Sequence, residues 1–126
     1  MLKSLFAVMI GGGIGSALRW GISNRLNALF PSLPPGTLTA NVVAGFIIGM
    51  ALSWFMRQPQ IDPVWRLFIT TGVCGGLSTF STFSSEILVM LQGGNWHWAL
   101  ISILVHVLGS LLAVFAGFTL ISLIAA

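Results

Sequence analysis

The chain has 126 residues, of which 56% are hydrophobic and only 6% charged, with a formal charge of +3 from five Lys/Arg against two Asp/Glu. A soluble domain carries about a quarter charged residues to cover its surface, so this composition excludes a water-soluble globule, and a mean hydropathy of +1.02 sets the apolar side chains against lipid. The basic residues lie at the ends of apolar runs rather than in one stripe, which excludes nucleic acid as a partner, and the lone Cys74, with no nucleophile–base–acid set or metal cluster beside it, excludes an enzyme.

Four apolar segments follow one another. The first runs from about Leu2 to Leu26. Its Lys3 and apolar start resemble a leader, but the run continues through Ile22, so it reads as a retained helix. Pro31, Pro34 and Pro35 separate it from the second, about Gly36 to Met56. A connector with Pro59 and Pro63 leads to the third, about Pro63 to Gln92, and Gly93-Gly94-Asn95 turns into the fourth, about Trp96 to Ile124. Each is long enough for a hydrocarbon core of about 30 Å, which takes roughly 20 helical residues. The fold class is therefore an all-α integral membrane protein, one transmembrane domain of four helices.

The third segment is too long for a simple span, since as one helix it would reach about 45 Å. Its middle, Thr70-Thr71-Gly72-Val73-Cys74-Gly75-Gly76-Leu77-Ser78-Thr79, combines paired glycines with hydroxyls, both poor helix material. The sequence predicts a break near Gly75 to Ser78. Unwound backbone at that depth is tolerated only where protein buries it or a cavity hydrates it, so the break points to function; the plain alternative is a kink that lets helices pack.

Lys3, Arg57 and Arg66 lie on one side of the membrane and Arg19 and Arg25 on the other. A margin of one charge scarcely sets orientation, so the chain is free to insert both ways and pair as an antiparallel, dual-topology homodimer; a folding partner that fixes one orientation is the alternative. Four helices leave little room for a pathway inside one bundle, which also favours pairing. Small residues at Gly11/Gly15, Gly45/Gly49 and Gly109/Ala113/Gly117 are spaced for close helix contact, within or between subunits.

The intramembrane polar residues form a pattern. After the break come Phe80-Ser81-Thr82-Phe83-Ser84-Ser85-Glu86, an aromatic stripe beside a hydroxyl stripe on one helix. The second helix carries Thr37, Thr39 and Asn41, the last in a row with Gly45 and Gly49; the fourth carries Ser102, His106 and Ser110 at four-residue intervals. Hydroxyl, amide and imidazole are hydrogen-bond donors, and the positive edge of a Phe ring also suits an anion. Uncharged donors in close spacing would offset the desolvation of a small anion without trapping it. Ordinary bundle packing is the alternative for Phe80 and Phe83. Glu86 reads either as a functional intramembrane acid or as a structural group bonded to hydroxyls. Arg19 either snorkels to headgroups or lines an anion vestibule. His106 either shuttles protons or packs as a neutral, bonded ring, and His97 between Trp96 and Trp98 reads as an interfacial residue.

The run Gly75-Gly76-Leu77-Ser78-Thr79-Phe80-Ser81-Thr82-Phe83-Ser84, with Leu18-Arg19-Trp20 and Gly36-Thr37-Leu38-Thr39-Ala40-Asn41, resembles the Fluc (CrcB) fluoride channels over essentially the whole chain. That resemblance implies a passive, fluoride-selective channel exporting fluoride from the cytoplasm of a bacterium across its inner membrane. It implies two antiparallel pores at the interface of a dual-topology dimer. Phe80 and Phe83 would meet fluoride with their ring edges, Asn41 would match the pore asparagine, and Ser81, Thr82, Ser84, Ser102, His106 and Ser110 would fall on the polar track. Arg19 would border a vestibule. A structural sodium ion at the dimer centre would be held by the carbonyls of Gly75 and Ser78. The rival class is a proton-coupled exporter of the small multidrug resistance type, which needs a carboxylate in the first helix; here that helix has Arg19 and no acid.

Overall fold

The computed structural model describes residues 1–125. They form helices joined by short turns: α1 (Leu2–Leu26), α2 (Pro35–Arg57), α3 (Pro63–Arg66), α4 (Gly75–Leu77), α5 (Phe80–Gln92) and α6 (Trp96–Ala125), with a π-helical stretch Leu67–Cys74 joining α3 to α4. Grouped by span, these make four helices long and apolar enough to cross a membrane, the third of them in two halves.

The boundaries follow local chemistry. A short 3-10 turn, Asn27–Leu29, ends the first span ahead of the prolines. Pro35 opens α2 at its first position, where its fixed φ and missing N–H cost nothing. Asp62 caps α3: its side chain accepts from the Val64 N–H at 3.0 Å, ahead of Pro63 at the first helical position. Gly94, with φ at 76°, takes the left-handed turn between α5 and α6 that side chains resist.

The third span is irregular along most of its first half. From Leu67 to Cys74 it is π-helical, a wider winding that is rare beyond a single turn and often found at functional sites. Gly75 and Gly76 then stay helical. The extended residues are Ser78 (φ −79°, ψ 155°) and Thr79 (φ −152°, ψ 118°), so the break lies at the far edge of the Gly75–Ser78 window and one residue beyond it. The physical reason is hydrogen bonding: the Ser78 N–H and hydroxyl both donate to the Cys74 carbonyl, at 2.9 and 2.8 Å. Those bonds close the last helical turn despite the paired glycines.

Packing brings α2 against α6, and α1 against the first half of the third span. The small-residue rows serve these contacts within the chain. A Cβ on Gly15 would stand 2.7 Å from the Leu77 nitrogen, one on Gly49 2.9 Å from the Val114 carbonyl carbon, and one on Gly117 3.0 Å from the Met50 nitrogen. The buried centre is small-sided: Ala40, Ala44 and Leu77, flanked by Ile22 and Ile47. Large apolar side chains such as Leu112, Phe115 and Leu123 are exposed. That inversion suits a solvent of lipid tails, in which close backbone approach, rather than burial of large side chains, holds helices together.

Candidate functional site

The site is organised around the break. In an unbroken helix the Thr79 N–H would bond the Gly75 carbonyl. Instead it donates to Asn41 Oδ1 at 2.7 Å, while Asn41 Nδ2 donates back to the Thr79 carbonyl at 3.2 Å. One side-chain amide on α2 thus satisfies both backbone groups of the extended residue, which matters at a depth where lipid offers no partner. Thr79 in turn caps α5, its hydroxyl accepting from the Thr82 N–H at 3.1 Å. Asn41 Nδ2 also lies 3.2 Å from His106 Nδ1 on α6. Three elements therefore meet at one amide.

Phe83 and His106 stack, with ring centroids 4.4 Å apart and planes inclined by 35°. Phe83 and His106 are buried, whereas Phe80 is 79% exposed; the Phe80 and Phe83 centroids are 5.8 Å apart. Asn41, Thr79, Phe80, Phe83, His106 and Ser110 border a groove of about 500 Å³ that is open on one side, with Gly75 and Ser78 on its rim. Its lining carries hydroxyl, amide and imidazole groups and, among the described residues, no charged side chain. Ser81 and Ser84 lie outside the groove, exposed on the surface of α5 near Phe80, while Thr82 and Thr39 are half-buried. Ser102 is fully buried on α6 one turn from His106.

Glu86 stands one turn further along α5 in a separate cluster. Thr37 Oγ1 donates to Glu86 Oε2 at 2.6 Å. Asn27 holds Thr37 in place: its Oδ1 accepts from the Thr37 N–H at 3.0 Å and its Nδ2 donates to the Thr37 hydroxyl at 3.3 Å. The other carboxyl oxygen, Oε1, is buried and unpartnered, as are Ser102 Oγ and His106 Nε2. Thr37, rather than Thr39, is the second-helix hydroxyl that reaches the carboxyl. Asn27 and Thr79 complete the two networks without standing out in the sequence, because their partners are remote in the chain.

Arg19 reaches the break from α1: its Nε donates to the Gly76 carbonyl at 2.9 Å. That carbonyl lost its helical partner at the break, and a cation suits the carbonyl end of a half-helix. At the opposite end of the fold, Lys3 pairs with Asp62 at 2.7 Å across exposed surface, and His97 is exposed beside Trp98.

The architecture defines a small multi-pass helical membrane protein whose third span is broken beside a groove of uncharged donors. The chain belongs to the CrcB-like family (camphor resistance, CrcB), whose model matches residues 6–118. It is 61% identical over 98% of both chains to a protein of Escherichia coli O1:K1 named fluoride-specific ion channel FluC. Proteins of the same name from Erwinia tasmaniensis and Pseudomonas putida are 60% and 55% identical, covering 98% and 93% of this chain and 99% and 92% of theirs. With four spanning helices and these bacterial relatives, the chain is a multi-pass protein of the bacterial inner membrane.

Proposed function

We propose that the protein is a passive fluoride channel, selective for fluoride over larger anions, that lets fluoride leave the cytoplasm. The observation that carries this reading is the groove beside the break. It is lined by amide, hydroxyl and imidazole groups and two Phe rings without a fixed charge, in a chain whose relatives are named for fluoride conduction. Moving even a carboxylate-sized ion into a dry interior costs on the order of 20 kcal/mol by an idealised estimate. Donors held rigidly by the fold offset that cost, and the absence of a charge lets the ion move on.

The working unit is an antiparallel, dual-topology homodimer with two pores along its interface. Phe80, Ser81 and Ser84 are exposed on one chain, and hydroxyls facing hydrocarbon are unfavourable, so a second copy covering that face accounts for them. Phe80 and Phe83 present ring edges to the ion, Asn41 borders its path, and Ser81, Thr82, Ser84, Ser102, His106 and Ser110 provide the polar track. Thr39 and Glu86 lie beside it, and Arg19 borders the vestibule while holding the Gly76 carbonyl. A sodium ion fits the break as a structural ligand. The Gly75 carbonyl is left without its helical amide because Asn41 takes the Thr79 N–H, and Ser78 is extended and exposed. Two such carbonyls from each of two chains would supply the oxygens that a hard cation takes.

Efflux of fluoride from liposomes containing the purified protein, with a potassium ionophore and a parallel chloride experiment, tests the reading. The expected result is fast fluoride loss without matching chloride loss, and a membrane potential that follows the fluoride gradient and ignores a proton gradient. Absence of fluoride efflux from well-folded protein would overturn it.

A further inference from the structure

Asn27, in the turn that follows α1, touches Thr37 twice. Its Oδ1 accepts from the Thr37 N–H at 3.0 Å, and its Nδ2 lies 3.3 Å from the Thr37 hydroxyl. The first contact fixes the amide, because half a turn would set N–H against N–H. The second contact then fixes the hydroxyl. Nδ2 carries hydrogens and offers no lone pair, so it donates to Thr37 Oγ1, and the single hydroxyl hydrogen has to leave on another side. Glu86 Oε2, 2.6 Å away, receives it. Every donor in this relay, amide to hydroxyl to carboxyl, is aimed at Glu86.

The surrounding chain is shaped to admit this relay. A Cβ on Gly36 would stand 2.6 Å from Asn27 Oδ1 and 2.6 Å from Ser23 Cα, so the start of α2 receives the amide only because that residue has no side chain. Thr37 is 0% exposed, which leaves no water to replace Asn27. Among the described residues Thr37 is the one group bonded to the Glu86 carboxyl, whose Oε1 is buried and unpartnered. Pro31 and Pro34, from the same connection between α1 and α2, border with Glu86 a cavity of about 180 Å³. The first loop therefore lies beside the acid and also holds it.

We infer that Asn27 is a positioning residue for fluoride conduction: through the Thr37 hydroxyl it fixes the direction of the Glu86 carboxyl, three residues beyond Phe83 on α5. The inference rests on the channel reading above and deepens it, adding a residue that stands outside the path. An acid beside an anion path acts on the ion by where its oxygens point, since electrostatic energy varies inversely with distance. A carboxyl freed from Thr37 has several staggered rotamers open to it. Those that approach the ion oppose its passage. Asn27 removes them without touching the ion itself.

The test uses full-length protein made by cell-free synthesis with glutamate ¹³C-labelled at Cδ. Glu86 is the only glutamate in the sequence, so one side-chain carboxyl signal reports on it. Asn27→Asp keeps the acceptor for the Thr37 N–H and removes only the donor to the hydroxyl; Asn27→Ala removes both. Both are expected to move the Glu86 signal at fixed pH, as Thr37→Val does, while Asn24→Ala, at an exposed position of α1, leaves it in place. In liposomes, Asn27→Ala lowers fluoride efflux by about fivefold or more, the scale of one lost hydrogen bond, and Asn24→Ala keeps it. A Glu86 signal unmoved in both Asn27 variants overturns the inference, even where their unfolding midpoint falls. Wild-type efflux from Asn27→Ala overturns it as well. Where Asn27→Ala does not fold, Asn27→Asp decides by the Glu86 signal. If the wild-type protein itself carries no fluoride, the channel reading fails, and the carbon signal still decides whether Asn27 positions Glu86.

Discussion

Asn41 replaces a helical hydrogen bond with a side-chain one, and its two contacts with Thr79 differ from ordinary capping in satisfying donor and acceptor together. Truncating it to Ala would leave a backbone N–H and a backbone carbonyl unpaired at mid-span. The expected loss is about 1–3 kcal/mol for each group that finds no water, read as a lowered thermal unfolding midpoint of the protein in detergent micelles. An unchanged midpoint would mean that the break holds without the amide. Phe80 is different, because it is 79% exposed and little in the chain depends on it. Phe80→Ile is expected to leave folding intact and to reduce fluoride efflux to that of protein-free liposomes. Near-normal efflux from that variant would remove the aromatic edge from the mechanism.

The elements differ in how much of each was legible in the sequence. The four spans follow from run length and composition, since nothing but lipid accepts so many large apolar side chains. The prolines and Gly94 mark the turns for local steric reasons. The break is a harder case. Paired glycines mark the weakest helical stretch, yet Gly75 and Gly76 stay helical, and the chain opens at Thr79 because a residue 38 positions away takes its backbone. The Thr37–Glu86 bond is likewise made over 49 positions. Side-chain bonds of that range leave no periodic trace, which is why spacing along the second helix gives no reason to prefer Thr37 over Thr39. The small-residue rows show close contact in the sequence without naming a partner. Their geometry now separates glycines that touch backbone from those that do not. Gly49→Ala, whose Cβ would stand 2.9 Å from a main-chain carbon of α6, is expected to destabilise by about 1–3 kcal/mol through overpacking. Gly13→Ala meets nothing within 4 Å and should be neutral or gain up to about 1 kcal/mol of helix propensity. Tryptophan fluorescence on heating compares the two.

The start of the third span adds a pH dependence at this scale. Lys3 and the Val64 N–H hold the Asp62 carboxyl below its ordinary value of 3.8. A depressed carboxyl pKa means that the unfolded chain binds its proton first as pH falls, so the stabilisation is present above the ordinary value and is lost below it. The unfolding midpoint should therefore fall between about pH 5 and pH 3 more steeply in wild type than in Asp62→Asn. Parallel curves for the two would show that the cap and the ion pair add nothing.

At the scale of the molecule the charges bear on assembly. Lys3, Arg57 and Arg66 stand at one end of the bundle and Arg25 at the other, while Arg19 turns inward to the break. Orientation follows the Lys/Arg count in short loops, and a count of three against two is within reach of a small change. Gln58→Lys with Gln60→Lys makes the count five against two; Ser32→Lys with Gln92→Lys and Asn95→Lys reverses it to five against three. None of these five side chains belongs to the break or the groove. If two opposite copies make the conducting unit, each variant expressed alone is driven into one orientation and its cells lose fluoride efflux, while the two expressed together regain it. A reporter at the C-terminus reads the orientation independently of transport. Full efflux from cells holding one variant in one orientation would show that a single topology conducts, and the exposed face of Phe80, Ser81 and Ser84 would then need a covering other than an inverted second chain.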